Sequence, residues 1–383
     1  MARAAGRYFL RKILFIVSED WYFVSHRLHI AVKAIEKGFT VTLLTRVSKH
    51  KNLIESLGIQ VLDWSFTRGG GNIFGSVKSI VYIMRAIKHS NSNIIYAVAI
   101  KPIIFSSLAA RLSGVKNKIF TLGGVGFIFS SNRILARMIR PVLIKVLRLA
   151  LKGHKTRLIL QNKDDREMFL GYKIIENERI ILIRGSGVDT DKFFPRKLRK
   201  NLTTVILPAR MLWDKGVHEF VSCAQQLKED GVTARFCLVG GVDTQNPESV
   251  SVAQLKKWTD QKVVEWWGDQ NNMPEIYSRS TIVCFPSYRE GLPKSLLEAA
   301  SSGLPIVAYN VPGCREIVID GVNGFLIPFK DDNSLRDAIL KLIKDQDLCD
   351  SMGFLGREIV LKNFSEKIIS EQTLSVWLEV LDI

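Results

Sequence analysis

Glu290 and Glu298 stand eight residues apart in the stretch SYREGLPKSLLEAASSGLPIV, residues 287–307. Glu290 precedes a Gly-Leu-Pro turn, and Glu298 sits inside LLEAA, where a packed core asks for another apolar side chain. Pro293 suits a first helical position, because its missing N–H would have no partner there, and Gly303 suits a helix stop. Glu290 is then a loop residue near a helix start, and Glu298 lies over a turn into that helix. The first-turn N–H groups at Gly291–Ser295 make a site suited to phosphate. A carboxylate buried without partners is costly. Sugar hydroxyls are good partners, since each carboxylate accepts two or more hydrogen bonds. Two acids flanking such a helix start point to a sugar joined to a diphosphate. Taken alone, Glu298 also fits an exposed helix residue between apolar neighbours.

A second set lies in ILPARMLWDKGVHEF, residues 206–220. A strand is expected to end at Ala209–Arg210, and Lys215 precedes Gly216 and a new helix. Arg210 and Lys215 would both project from a strand end, where two cations neutralise a diphosphate leaving group. Read singly, they are an ordinary surface Arg and Lys. Asp189 and Asp191 have the DxD spacing of some metal–nucleotide sites, but they fall in a connecting segment. No His/Asp/Glu cluster suggests a metal elsewhere, so neither metal nor cofactor is expected.

The elements that must position these residues follow from the apolar pattern. At 383 residues the chain is long enough for two domains of about 180 residues each. Short Val/Ile/Leu runs alternate with helix-length segments. Strands are expected at Ile13–Val17, Val41–Thr45, Ile94–Val98, Ile119–Leu122 and Leu158–Gln161. A second series runs Thr204–Ala209, Arg235–Val239, Val263–Trp266, Thr281–Pro286, Pro305–Tyr309 and Phe325–Pro328. Helical patterns lie between them, for example Arg27–Lys37 and Ile103–Ser113. Such alternation means α/β domains with parallel sheets covered on both faces. Two series predict two Rossmann-like domains, residues 1–187 and 188–364, followed by a helix over 365–383. The segment Gly185–Asn201 is expected to join them. Ligands bind at the carboxyl ends of strands in such sheets.

Composition narrows the partners. Residues 1–187 carry 31 Lys/Arg against 10 Asp/Glu, a net +21, and the remainder carries −4, giving the overall +17. No acidic residue occurs from Trp64 to Lys163. A basic half attracts an anionic surface or polyanion. The segment NRILARMIRPVLIKVLRLALKGHK, residues 132–155, reads as a basic amphipathic helix with Pro141 inside it. Arg133, Arg137, Arg140, Lys145, Arg148 and Lys152 share one arc, and Leu, Ile, Val and Met fill most of the other. This fits a membrane-surface contact or a sheet-covering helix whose cations snorkel. No uncharged apolar run reaches the ~18–20 residues of a membrane helix. The start MARAAGRYFLRKILFIV is basic then apolar, but SEDWYF follows where a cleavage site would stand, so ILFIV is read as a first strand after a basic tail. Five cysteines without a CxxC pair suggest reduced thiols and a cytoplasmic location.

Together these motifs resemble a family. EGLPKSLLEA is similar to the E-x7-E signature of the retaining GT-B glycosyltransferases of family 4, and ARMLWDKGV resembles that family's donor-phosphate Arg and Lys. GSGVDTDKFFP resembles its interdomain segment, and CLVGG (237–241), WWGDQNNMPEIYSRSTIVCFPS (266–287) and PIVAYNVPGCREIVIDGVNGFLI (305–327) follow in the expected order. The N-terminal half matches more loosely through SEDWYFVSHRLHIA (18–31), AIKPIIFSSLAARLSG (99–114) and TLGGVGFIF (121–129), which look like bacterial surface-polysaccharide members. Two departures stand out. Many relatives have a Gly-Gly loop where this chain has Ser18-Glu19-Asp20. Many also have a histidine just before the segment starting at Lys101, where this chain has Tyr96 and Val98.

The resemblance implies two Rossmann-like domains facing each other across a cleft, with the C-terminal helix returning to the N-terminal domain. It implies Glu290 on donor-sugar hydroxyls, Glu298 on the nucleotide ribose, and Arg210 and Lys215 on the diphosphate. Gly291, Leu292, Pro293, Lys294, Gly240, Gly241, Ser287 and Trp267 complete the donor side, and His26, Lys101, Gly123 and Gly124 the acceptor side. The implied activity is transfer, with retention, of a hexose or N-acetylhexosamine, N-acetylgalactosamine above others, from a UDP-sugar. The acceptor would be a polyprenyl-diphosphate-linked saccharide at the cytoplasmic face of the inner membrane, in O-antigen, capsule or related glycan assembly. The expected partners are donor, lipid-linked acceptor and anionic membrane surface, not nucleic acid. Two alternatives remain, a basic membrane- or nucleic-acid-binding protein and a nucleotide-sugar epimerase on the same scaffold. The first accounts for the charge but not for Glu298, and the second lacks support in the Glu, Arg and Lys set.

Overall fold

The computed structural model describes residues 11–64, 73–124, 129, 134–195, 202–244 and 246–382. The expected basic tail, Arg133, the turn beyond Gly124 up to residue 128, and the charged end of the joining segment, 196–201, lie outside these residues. The chain divides into two compact units: residues 1–186 with 367–383, and residues 187–366.

Unit 1 is built on a parallel sheet of β1 (Arg11–Glu19), β2 (Phe39–Arg46), β3 (Gln60–Asp63), β4 (Ile94–Val98), β5 (Asn117–Leu122), β6 (Thr156–Leu160) and β7 (Ile180–Leu182). Their order is β3-β2-β1-β4-β5-β6-β7. Period-two geometry sorts the run ILFIV onto two faces: Leu14 and Ile16 enter one core, Ile13, Phe15 and Val17 the other. The second core also takes the C-terminal helix Glu366–Asp382 through Ile369, Leu374, Val376, Trp377 and Val380. Trp377 lies 5.6, 5.8 and 5.4 Å, ring to ring, from Phe15, Phe39 and Tyr96. Arg157 of β6 holds Glu379 of the same helix at 2.7 Å. The final helix returns to the N-terminal unit as expected.

Unit 2 has β8 (Thr204–Pro208), β9 (Arg235–Val239), β10 (Glu265–Gly268), β11 (Ile282–Phe285), β12 (Ile306–Tyr309) and β13 (Gly324–Ile327), all parallel in the order β10-β9-β8-β11-β12-β13. The order turns outward on either side of the β8/β11 pair, so the crevice above these two strands is the switch point where ligands bind. All five cysteines are buried and free, packed as small apolar side chains.

Several expectations are corrected. The edge strands β3 and β7 were not foreseen, because runs of four and three residues are too short to register against the helical patterns around them. Strand β10 begins two residues later than the apolar run suggests. The helix expected over Arg27–Lys37 is preceded by a separate helix, Asp20–His26, broken at Arg27. The segment after Gly187 is not merely a linker: Val188 and Phe193 are buried in the core of unit 2, and Val188 bridges to Ser365.

Trp377 fills the center of an aromatic cluster, so truncation leaves a large cavity. Trp377→Ala is expected to lower the stability of unit 1 by about 3–5 kcal/mol. Denaturant unfolding followed by circular dichroism checks this, and an unchanged midpoint would contradict it.

Candidate active site

The loops after β8 and β11 meet at the switch point. Ser287 and Glu290 follow β11, and Lys215 follows β8. Lys215 Nζ donates to Glu290 Oε1 at 2.6 Å, and Ser287 Oγ donates to the same oxygen at 2.8 Å. The second carboxylate oxygen, Oε2, has no hydrogen-bond partner among the described residues. The two loops are stitched by the Tyr288 N–H donating to the Asp214 carbonyl at 2.9 Å. Two glycines permit the approach. A β-carbon on Gly216, at φ +75°, would stand 2.1 Å from the Pro286 oxygen, and one on Gly313 would stand 2.6 Å from the Gly291 oxygen. The 287–293 loop is thus held between backbone on both sides.

Helix Lys294–Ser301 follows, with Pro293 as its N-cap rather than its first residue and Gly303 past its end at φ +74°. In its first turn the Leu296 and Leu297 N–H groups donate to the Pro293 carbonyl at 3.1 and 3.4 Å. Glu298 is partly buried, and its Oε2 accepts from the Tyr277 hydroxyl at 3.3 Å. Its other oxygen has no partner among the described residues. Burial pushes this carboxyl up from 4.5 to about 7, against the pull of Lys294, the Tyr277 hydrogen bond and Lys192. Lys294 also lies 3.7 Å from Glu366, whose carboxyl is raised chiefly by burial. The exposed Arg210 is paired with Asp243, Nη1 to Oδ2 at 2.7 Å. Each cation therefore already has a carboxylate partner on the protein.

The other residues expected on the donor side divide. Gly240 and Gly241 follow β9 and lace the strand ends together: Gly240 N–H donates to the Gly268 oxygen, and the Gly241 oxygen accepts from Met211 N–H. Leu292 packs against the core. Trp267 is not brought to this cluster. It sits on edge strand β10, its indole donating to Glu265 at 2.9 Å, with Arg235 and Arg279 over its ring. Asp189 turns one oxygen back on its own segment, accepting from the Asp191 and Lys192 N–H groups at 3.0 Å each.

Unit 1 has a cavity of about 440 Å³ at the carboxyl ends of β1, β4 and β5, lined by Glu19, Tyr22, Ala99, Lys101, Gly123 and Gly124 among others. Lys101, Gly123 and Gly124 come together here. His26 stands one ring behind, stacked on Tyr22 at 4.2 Å, with Nδ1 2.6 Å from Ser25 Oγ. In place of a Gly-Gly loop, acids tie β1 to the segment after β2. Buried Asp20 accepts from Ser48 N–H, Ser48 Oγ and His50 N–H at 2.7, 2.5 and 3.0 Å, and Glu19 pairs with Arg46. Burial alone would raise the Asp20 carboxyl, but these hydrogen bonds outweigh it and hold it below the usual range. Tyr96 belongs to the core, its hydroxyl accepting from Thr121.

The chain's similarities bear on this geometry. Residues 188–358 match the family described as glycosyl transferases group 1, and residues 12–162 match glycosyl transferase 4-like. Residues 188–358 thus form a group 1 glycosyl transferase region, and the protein is a glycosyltransferase. A Campylobacter jejuni protein, N,N'-diacetylbacillosaminyl-diphospho-undecaprenol alpha-1,3-N-acetylgalactosaminyltransferase, is 28% identical over 89% of this chain and 91% of its own length. An Escherichia coli UDP-Gal:alpha-D-GlcNAc-diphosphoundecaprenol alpha-1,3-galactosyltransferase is 25% identical over 78% and 76%. Anabaena HepE, crystallised with UDP and glucose, superimposes with a TM-score of 0.78 at 19% identity, covering 95% of this chain and 98% of that one. The fold is the GT-B fold, and the protein is a transferase.

The glycosyl transferase also carries the basic helix, Ile134–Ala150. Ala136, Ile144, Leu147 and Ala150 form its buried stripe, while Ile134, Leu135, Met138, Ile139, Val142 and Leu149 are 42–76% exposed. At about 100° per residue these six lie on the side away from the core. The expected division into a cationic and an apolar arc is thus refined, because the apolar residues split between core and surface. Arg148 is used internally, donating to the Tyr172 and Lys173 carbonyls at 2.6 and 3.0 Å. No described helix is long and apolar enough to cross a membrane.

Asp243, Asp214, Tyr277, Gly313 and Tyr22 were not singled out from the sequence. Gly313 lies in PIVAYNVPGCREIV, a quoted motif whose glycine marks the close approach. Asp214, Tyr277 and Tyr22 also lie in quoted motifs but fit their settings there, and Asp243 lies in none.

The Glu298 shift has a sign that can be tested without substrate. Because the folded state keeps this proton to higher pH than the unfolded chain, its contribution is full below about 4.5 and is lost as pH rises to about 7. Glu298→Gln is therefore expected to be more stable than wild type at pH 8 by on the order of 1 kcal/mol and equal to it near pH 4. Denaturant titrations at both pH values, without nucleotide, measure the difference.

Proposed function

We propose that this transferase moves N-acetylgalactosamine, with retention, from its UDP derivative to a polyprenyl-diphosphate-linked saccharide. The observation carrying the reading is the Lys215–Glu290–Ser287 cluster at the β8/β11 switch point, with Glu298 in the adjoining helix. Each glutamate keeps one oxygen unbonded by the described protein. Glu290 Oε2 takes sugar hydroxyls, and the open oxygen of Glu298 takes the ribose diol. Arg210 leaves Asp243 for the diphosphate, Lys215 adds a second cation, and Gly291–Lys294 lead it to the helix start. Fixed donors and cations aimed at the leaving group are the main source of acceleration in such a site.

The bond from the anomeric carbon to the β-phosphate oxygen breaks with its electron pair leaving on UDP. The acceptor hydroxyl attacks from the same face, and its proton passes to the departing phosphate oxygen. Neither glutamate acts as a glycosidase acid or base. Lys101, Gly123 and Gly124 line the cavity assigned to the acceptor, with His26 orienting Tyr22. The lipid-linked acceptor is supported by the two relatives named for diphospho-undecaprenol substrates, and N-acetylgalactosamine by the one matching more of the chain. No metal is needed in this scheme.

Incubated with UDP-sugars and no acceptor, the protein is expected to release UDP slowly, fastest from UDP-N-acetylgalactosamine. Glu290→Ala is expected to reduce turnover by about 10²–10³-fold. Equal release by the variant, or none by wild type with any UDP-sugar or lipid extract, would overturn the reading. The anomeric coupling constant of the product by NMR reports retention.

The exposed apolar side of helix 134–150, bordered by Arg137 and Lys145, also supports docking on an anionic leaflet. Each cation near such a surface contributes about 1 kcal/mol. Flotation with vesicles containing phosphatidylglycerol should carry the protein, neutral vesicles should carry less, and Leu135→Glu with Met138→Glu should abolish it. Equal flotation with both vesicle types would remove the electrostatic part of the proposal.

A further inference from the structure

The amino ends of β4, β5 and β6 hold a second feature, on the side of the unit 1 sheet opposite the Lys101 cavity. Two adjoining cavities of about 840 and 280 Å³ open there and share Gly114, Val115, Lys116 and Lys155. The smaller is lined by Arg111, Lys116, Lys118, Lys152 and Lys155. The larger adds Arg85, Lys88, Val81, Met84 and Ile87, all from helix Ile73–Ser90. Among the described residues, no carboxylate lines either cavity.

Part of this charge has a structural task. The end of helix 134–150 exposes carbonyls that cations satisfy. Arg111 donates to the Leu149 oxygen, Arg179 to the Leu151 and Gly153 oxygens at 2.7 and 2.8 Å, and Lys118 to the Lys152 oxygen at 3.1 Å. That task does not account for the rest. Lys118 is 4% exposed and uses one of its three N–H donors on the Lys152 oxygen. Thr156 is fully buried, and its hydroxyl has no hydrogen-bond partner among the described residues. The two groups converge on Gly153, which lines the smaller cavity. A β-carbon built there would stand 3.3 Å from Thr156 Oγ1 and 3.8 Å from Lys118 Nζ. A buried hydroxyl without a partner is unfavourable by about 1–3 kcal/mol, and several cations without a counter-ion repel one another. Burial, then Arg111 and Arg179, pulls the Lys118 ammonium down to about 8. An anion at this point would satisfy all of these groups together.

We propose that the smaller cavity is a phosphoryl-binding site, with Lys118 and the Thr156 hydroxyl at its base, Lys116 and Lys155 at its mouth, and the apolar wall of the larger cavity accepting whatever the phosphate is attached to. It is separate from the donor and acceptor sites, which lie at the carboxyl ends of the strands. The phosphate belongs either to free phosphate esters or to an anionic lipid headgroup.

The test uses the full chain saturated with UDP, so that the donor site is filled. Inorganic phosphate is titrated calorimetrically at constant ionic strength against chloride. Saturable binding is expected, weakened about tenfold by Lys116→Gln with Lys155→Gln and lost in Lys118→Met. Release of UDP from the UDP-sugar is expected to be unchanged in the double variant. Should Lys118→Met fail to fold, the double variant decides alone. Phosphatidylglycerol vesicles that displace phosphate identify the headgroup as source, and vesicles that do not displace it identify the free ester. Absence of saturable binding, or binding that both variants retain, overturns the proposal.

Discussion

The short contact between Lys215 and Glu290 ties the loops of the β8/β11 crevice to the sheet that carries them. Neither residue is exposed enough for solvent to replace its partner cheaply, since their side chains are 17% and 13% accessible. A buried charge must be paired or it is strongly unfavourable. The loop after β8 and the loop after β11 are therefore obliged to meet, and glycines at 216 and 313 remove the side chains that would keep them apart. Ser287 adds a second bond to the same carboxylate oxygen. The consequence is a carboxylate fixed by one oxygen and open at the other, which is what orienting a hydroxyl-bearing ligand demands.

Unit 1 solves the opposite electrostatic problem. It has cations in excess, and it satisfies many of them on backbone carbonyls. Arg148 closes the end of helix 163–171, Arg111, Lys118 and Arg179 close the end of helix 134–150, and Arg157 bonds the His154 oxygen. A count of basic residues alone overstates what such a surface offers to an external anion. The opposite error is possible too, because a lysine such as Lys118 has donors left over after its carbonyl is satisfied.

Much of the architecture was legible because parallel, doubly covered strands leave long apolar runs. The eleven expected strands are all present, two with the expected bounds and nine with ends shifted by at most two residues. Glu298 stood out because a carboxylate disagrees with its apolar neighbours, whereas Glu290 and Lys215 stood out only through their places beside a helix start and a strand end, and Lys215 does meet Glu290. Asp243 and Tyr277 were not, since an Asp in a loop and a Tyr on a helix fit their settings without a partner. Trp267 was assigned by its place in a motif, yet alternation along β10 puts it with Glu265 and two arginines. The division of apolar residues on helix 134–150 was also hidden: periodicity gives a direction for the helix, but not which of two apolar stripes the sheet covers.

The aromatic cluster around Trp377 has a further consequence. Unit 2 is one continuous stretch, 187–366, whereas unit 1 is completed only by residues 367–383. Those residues leave the ribosome after every strand of unit 2 has been made. Domains usually mature in the order of synthesis. Here the first-made unit holds an unfilled aromatic socket through the whole synthesis of the second, so the unit that begins last can finish first.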